Sequence, residues 1–352
     1  MHRVFSWMLA LTLLTGLAGA SLSAFGRVTT HTSALTPTIA EDVALLPASD
    51  LIAVVNVNRF FSELLPKIKT DAPTEVAKMA KDLDTFTDQT GIDVSKIKTA
   101  IIGVKLDGAG GGAIILQGMS FDAKRIESTV KTKQGEFKAT DYKGRSIYSV
   151  KMKAAEQAAA TAAAAGLPIN LSDDVNFAAL DGQTAVAGDL SAIKSVLDAQ
   201  ASGKSTNPNA ALSTALNESK ASGLVRFAAS LPNSLRQDLS SQGDLFTQLA
   251  AVKMVVGSFD MGNDLSLALD TLLRTGSQNE ASQLETGLKS LVFLGKTFLS
   301  GNQEPQMQVF TQLLDQIKIS TQTADVALSI ALPRALLDQF GKQEKKTEPI
   351  GK

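Results

Sequence analysis

The chain has 352 residues, 44% of them hydrophobic and 20% charged, with a formal charge of −1. That length supports a large core and favours two domains over one. The near-neutral balance lacks the basic footprint of a nucleic-acid binder. There is no cysteine, and the two histidines are His2 and His31. Disulfide staples, thiolate metal sites and a lipid-modified cysteine are therefore excluded, and past residue 31 there is no imidazole for proton or metal chemistry.

The first twenty residues read as an export signal. Arg3 supplies a positive region, Val4 to Leu17 is nearly all apolar, and Ala18-Gly19-Ala20 has the small residues a signal peptidase accepts. Cleavage there would leave a formal charge of −2. The apolar run is short for a full membrane span, although an uncleaved anchor is the alternative. No later run is apolar enough to cross a bilayer. Residues 21–40, rich in Ser, Thr and Ala, form a flexible lead-in.

The fold is expected to begin near Glu41-Asp42-Val43. A turn at Leu46-Pro47-Ala48-Ser49-Asp50 feeds a β-branched strand, Leu51 to Val57. Helical spacing follows from Ile68 to Thr87, interrupted by Pro73. Val76, Met79, Ala80, Leu83 and Phe86 share one face. Strands Thr99 to Leu106 and Ala113 to Gln117 flank the glycine-rich turn Asp107 to Gly112. Phe121-Asp122 then opens a helix carrying Ile126 and Val130. Two more hairpins are expected, Phe137 to Val150 and Val175 to Ala187. Asp189 or Ser191 caps a helix with Ile193, Val196 and Leu197. Between those hairpins, Ala154 to Ala165 has nine alanines in twelve positions, which favours a helical excursion with little to bury.

Ser202 to Asn209 reads as a linker between an N-terminal domain (41–201) and a C-terminal domain (210–340), with a polar tail at 341–352. The second part carries a strand at Gly223 to Ala229, a short helix from Pro232, and a hairpin from Val252 to Leu273. A long helix spans Asn279 to Leu299, its buried stripe marked by Leu284, Leu288, Leu291, Val292, Gly295 and Phe298. Val309 to Leu314 is helical, Ile317 to Ala331 forms a last hairpin, and Pro333 begins a terminal helix. Ile101 to Val130 and Val255 to Leu288 share one pattern: strand, glycine-bearing turn, strand, helix. The expected class is α+β: two related halves of largely antiparallel sheet with helices packed on one face. One continuous sheet shared by both halves is the alternative.

The layout resembles families of uncharacterised exported bacterial proteins. The resemblance rests on the export signal, Leu45 to Asp50 before strand Ile52 to Val57, and Phe121-Asp122 after a hairpin. Leu180-Asp181-Gly182-Gln183-Thr184-Ala185-Val186-Ala187-Gly188-Asp189 adds to it. It implies an exported protein of this fold and names no catalytic residue.

Motifs with possible chemistry have structural readings. Gly108 to Gly112 lacks the lysine and hydroxyl of a phosphate loop and leads into a strand rather than a helix. The carboxylate pairs Asp82/Asp84, Asp173/Asp174 and Asp260/Asp264 are sequence neighbours, which does not place two acids across a cleft. Ser128 and Lys131 lie on nearly one helical face, and Ser95/Lys96, Ser195/Lys194 and Ser290/Lys289 are adjacent. None has an oxyanion motif beside it. No catalytic, cofactor or metal residue is assigned. The one interaction cluster singled out is Tyr142, Arg145 and Tyr148, on an expected exposed hairpin.

The composition thus points to a non-enzymatic structural or protein-interaction module in the periplasm or outside the cell. Its partner would be an envelope protein, without nucleic acid and without cofactor. The alternatives are a carrier holding an apolar small molecule between sheet and helices, and a metal-free serine hydrolase.

Overall fold

The computed structural model describes residues 37–90, 92–106, 111–118, 122–132, 136–151, 174–203, 207–241, 244–300 and 305–339. The export signal, the lead-in to residue 36, the Ala154 to Ala165 segment, Asp173 and the polar tail lie outside them.

The elements follow in chain order. Helix α1 (Pro37–Leu45) precedes β1 (Leu51–Asn56). Helix α2 (Val57–Arg59) continues through a π-helical stretch (Phe60–Leu64) into α3 (Leu65–Asp71). Pro73, which has no N–H to donate, starts α4 (Pro73–Thr90) after the break at Ala72. Next come β2 (Thr99–Val104), β3 (Gly112–Gln117), α5 (Ala123–Thr132), β4 (Glu136–Tyr142), β5 (Arg145–Lys151), β6 (Asp174–Ala179) and β7 (Thr184–Gly188). Helices α6 (Leu190–Ser202) and α7 (Ala210–Leu216) lead to β8 (Val225–Ser230), α8 (Asn233–Ser240) and α9 (Asp244–Leu249). The described chain then runs through β9 (Met254–Met261), β10 (Leu267–Arg274), α10 (Gln278–Ser300), α11 (Pro305–Asp315), β11 (Ile317–Gln322) and β12 (Asp325–Leu332). Residues 334–339 are helical.

All twelve strands join one antiparallel sheet, in the order β11-β12-β10-β9-β8-β1-β2-β3-β7-β6-β5-β4. The shared-sheet alternative is therefore the observed arrangement. Strands before and after the expected linker meet at β1 and β8, with Leu51 opposite Ala229 and Val55 opposite Val225.

The Leu46 to Asp50 turn organises that junction. The Asp50 N–H donates to Val104 O (2.8 Å), its carbonyl accepts from Ser230 N (2.7 Å), and its carboxylate accepts from Leu106 N (2.9 Å). Asn209, the last residue of the expected linker, is buried against the same turn. Its Oδ1 accepts from Ser49 N (2.9 Å), and its Nδ2 donates to Leu46 O and Pro47 O (3.1 Å each). One side chain thus bonds three backbone groups of the turn, one of which, Pro47 O, also accepts from Ser49 Oγ (2.8 Å).

Helices cover both faces of the sheet, which corrects the expected single covered face. Adjacent strand residues point to opposite faces. Val256 packs with Val43, Ile193 and Leu216 of α1, α6 and α7. On the other face, Val255 packs against the cluster containing Leu249 of α9 and Leu284 and Leu288 of α10. That second face also holds Leu64 against Met261 and Leu267, and Ile126 of α5 against Phe177. The reason is visible in β1: Leu51, Ile52, Ala53 and Val54 are all buried. A continuous apolar run needs cover on both sides, unlike a strand that alternates with polar residues.

Local signals account for the turns. Lys143 and Gly144 both have positive φ, giving β4 and β5 the two-residue turn that matches strand twist. Gly188 has φ +142°, and a Cβ there would lie 2.2 Å from Gly112 O, so glycine alone fits where β7 passes β3. Asp189 precedes α6 without a side-chain cap bond; its Oδ2 accepts from Gly112 N instead (2.7 Å).

Candidate functional site

The structure separates the three residues of the predicted cluster. Tyr142 ends β4 on the face of α6, where its hydroxyl donates to Asp198 Oδ2 (3.0 Å). The ammonium groups of Lys143 and Lys194 each lie 5.3 Å from its ring centroid. The hydrogen bond from Lys143 to Asp198 (2.7 Å) holds that carboxyl below its ordinary range. Arg145 donates to Leu180 O (2.9 Å). Tyr148 points to the opposite face, stacked between Phe137 (5.5 Å) and Phe177 (5.7 Å). Tyr142 and Arg145 tie the hairpin to α6 and to the β6–β7 turn, while Tyr148 is packed among rings. The alternation of β5 explains the split, because residues an odd number apart face opposite ways.

The serine candidates have local partners, and Asp260 has a distant one. Ser128 Oγ donates to Arg125 O (2.9 Å), while Lys131 pairs with Glu127 (2.6 Å). Ser95 Oγ donates to Asp93 (2.6 Å), which also pairs with Lys96 (3.2 Å). Ser195 and Ser290 donate to carbonyls four residues earlier. Asp260 receives Arg59 Nη1 (2.5 Å), and Asp264 closes its turn on Ser266. The serine bonds and the Asp264 turn are caps, turns and helix-surface contacts, while Arg59–Asp260 ties α2 to β9. Among the described residues, no group of three or more His, Asp or Glu is placed to hold a metal ion.

The site that stands out lies on α10 and α11. The N-terminal part of α10 behaves as its spacing predicts: Ala281, Leu284, Leu288 and Val292 are buried over Leu273 and Val326. Glu285 accepts from Thr321 Oγ1 of β11 (2.7 Å) and from Lys289 (2.6 Å). Burial pushes its carboxyl up, but these two donors outweigh that and hold it below the usual range. Lys296, three turns further on, pairs with Asp315 just before β11. Helix α10 therefore runs antiparallel to β11, and its last turn passes the point where that strand starts.

Around that point several apolar residues of α10 face water. Phe298 is 83% exposed, Phe293 65% and Leu294 62%. This corrects the expectation that Phe298 completes the buried stripe. Helix α11 folds back along α10, close enough at Gly295 that a Cβ there would lie 3.1 Å from Leu314 Cδ1. Phe310, 45% exposed, lies one turn before Leu314, and Phe298 lies one turn after Gly295. In antiparallel helices those positions share a level. Summed one by one, the four side chains expose roughly 500 Å² of apolar surface.

Phe293 was legible as an outlier. At 100° per residue it lies on the helix side opposite Leu284 and Leu288. A pocket of about 190 Å³ near the other end of α11 is lined by Gln312, Asp315, Gln316, Pro333, Ala335, Leu336 and Gln339. Polar and apolar groups share that lining about equally, whereas apolar ligand sites are lined predominantly by hydrophobic side chains.

No family model and no curated protein matches this chain. Among solved structures it is distantly similar to crystal form I of TP0453, with a TM-score of 0.43 and 8% identity over 85% of this chain and 96% of that one. Crystal form III gives a TM-score of 0.41 and 8% identity over 84% and 95%.

Proposed function

We propose that this chain is an exported, non-enzymatic structural or protein-interaction module of the bacterial envelope. In this reading the signal is removed after Ala20, and the twelve-stranded sheet serves as a rigid base that holds the α10–α11 tip out as a docking surface. The observation that carries the reading is the exposure of Phe293, Leu294, Phe298 and Phe310 on well-packed helices. Exposed aromatic side chains cost solubility, and a rigid scaffold that keeps them outward supports a binding role. The local engagement of the candidate serines supports the non-enzymatic part.

The two parts of the chain are proposed to be related. From the β1–β8 junction outward, β1, β2, β3, β7, β6 and β8, β9, β10, β12, β11 follow matching orders, with the β4–β5 hairpin as an addition.

The test is affinity capture of the mature protein from its native envelope, run beside Phe298→Ser. Mass analysis of the captured material would include the recovered N-terminus. A partner retained by the parent and lost by the variant supports the reading. A stoichiometric lipid held equally by both replaces it with the carrier. Turnover abolished by changing one serine or acid replaces it with an enzyme.

A further inference from the structure

We infer that helix α1 is a pH-operated latch, closed on the sheet while Asp42 is protonated and loosened when Asp42 ionises.

Placement argues first. Ile39, Asp42, Val43 and Leu46 follow the spacing of a helix face that packs inward. Val43 and Leu46 are sealed from water, Ile39 lies against the same cluster, and α1 closes over β2, α6 and α7. Asp42 thus fills a position of the apolar stripe, and it is only 9% exposed. Carboxylates at such depth ordinarily pair with a cation or a metal. The partner here is an amide: Gln117 Nε2 of β3 donates to Asp42 Oδ2 (2.5 Å).

The neighbouring charges argue next. Among the described residues, those acting on Asp42 are Glu41 on the same helix and Asp181 in the β6–β7 turn, both acids. Neither β2 nor α7 carries a titratable residue. Helix α6 carries Lys194 and Asp198, and both are engaged at Tyr142, Lys194 over its ring and Asp198 with its hydroxyl and with Lys143. Burial lifts the Asp42 carboxyl above 3.8 against the Gln117 hydrogen bond, and the two acids add to the lift. An amide can serve either form, donating to the carboxylate or accepting from the acid; only the ionised form is penalised by burial.

A hinge stands where the latch meets the sheet. Helix α1 ends at Leu45, and the residues after it are fixed: Asn209 holds the Leu46 and Pro47 carbonyls, and the Asp50 backbone bridges Val104 and Ser230. The helix can therefore lift while β1 keeps both neighbours. Lifting would bare part of the cluster that contains Val43, Ile101 and Ile193. In the lifted helix the carboxyl returns to its ordinary value. Opening therefore rises with pH, up to about tenfold per unit between 3.8 and the raised value, and is level above it.

The test is residue-resolved hydrogen exchange of the full-length chain from about pH 4 to about pH 7, with Asp42→Asn alongside. The amides of Ala44 and Leu45 report on the latch, and those of α7 on the sheet it covers. Dividing the parent's rates by the variant's at each pH cancels the pH dependence of exchange itself. For Ala44 and Leu45 that ratio should rise about tenfold across the range, and their rates should exceed those of α7 and resist low urea, as local opening does. Asp181→Asn, on the exposed turn, should slow their exchange about twofold at neutral pH. A level ratio, exchange of α1 only together with α7, or faster exchange in Asp181→Asn would each overturn the inference.

Discussion

The two ends of α10 differ little in composition and greatly in surroundings. Leu284, Leu288 and Val292 lie over β10 and β12 and are sealed from water, whereas Phe293, Leu294 and Phe298 stand in it. The helix is the same; Phe293 and Leu294 lie on sides turned away from Leu284 and Leu288, while Phe298 lies past the level at which β11 begins. Hydrophobic side chains on a helix therefore report two things, the location of a core and the place where the core runs out.

Substitutions at the two ends would sharpen that contrast. Leu288→Ala should cost about 2–5 kcal/mol, because the site is enclosed by Val326, Leu273 and Leu249 and would be left with a cavity. Urea denaturation measures it directly. Asn209→Ala, at the junction of β1 and β8, should cost about 1–3 kcal/mol by leaving buried backbone groups unsatisfied. A loss confined to the expected C-terminal part, with the N-terminal part still folded, would show that the shared sheet does not couple the two.

A smaller effect of opposite sign is expected at Asp42, on the well-covered face. Burial raises its carboxyl above the ordinary value of 3.8, against the hydrogen bond from Gln117 and with Asp181 and Glu41 adding to the rise. The protonated acid is the form favoured on folding, so its contribution is complete below pH 3.8 and fades as pH climbs through the raised value. Asp42→Asn should therefore gain on the parent as pH rises from acid to neutral, in paired melting curves. The smallest effect is expected at the tip: Phe298→Ser should change stability by less than about 0.5 kcal/mol. A loss near that of Leu288→Ala would mean that the phenylalanine is part of the core.

The strands were largely legible because their signals are local. The pairs Phe137/Val150 and Ile317/Ile330 each belong to a hairpin whose turn lies between them in sequence. The partner of β1 was not legible in this way. Val55 meets Val225 across nearly half of the chain, and no short-range pattern encodes that choice. The second helical layer was missed for a related reason. Leu51 to Val54 reads as strand whichever faces are covered, and Leu64 shows its packing role only once Met261 and Leu267 are beside it. Helix α7 was also missed, although Leu212, Ala215 and Leu216 have helical spacing. The tip was half visible: the spacing located its residues, but the end of the sheet that exposes Phe298 is set by where β11 begins.

The position of β1 in the middle of the sheet affects how the chain acquires its form. Its two neighbours are made at very different times, with β2 following about 50 residues later and β8 about 170. At ordinary rates of synthesis that second interval is on the order of 10–30 s. Throughout it, the central strand has one side zipped and the other open to mispairing. Such long-range closure slows folding, so the nascent polypeptide stays pliable until nearly two-thirds of it has emerged.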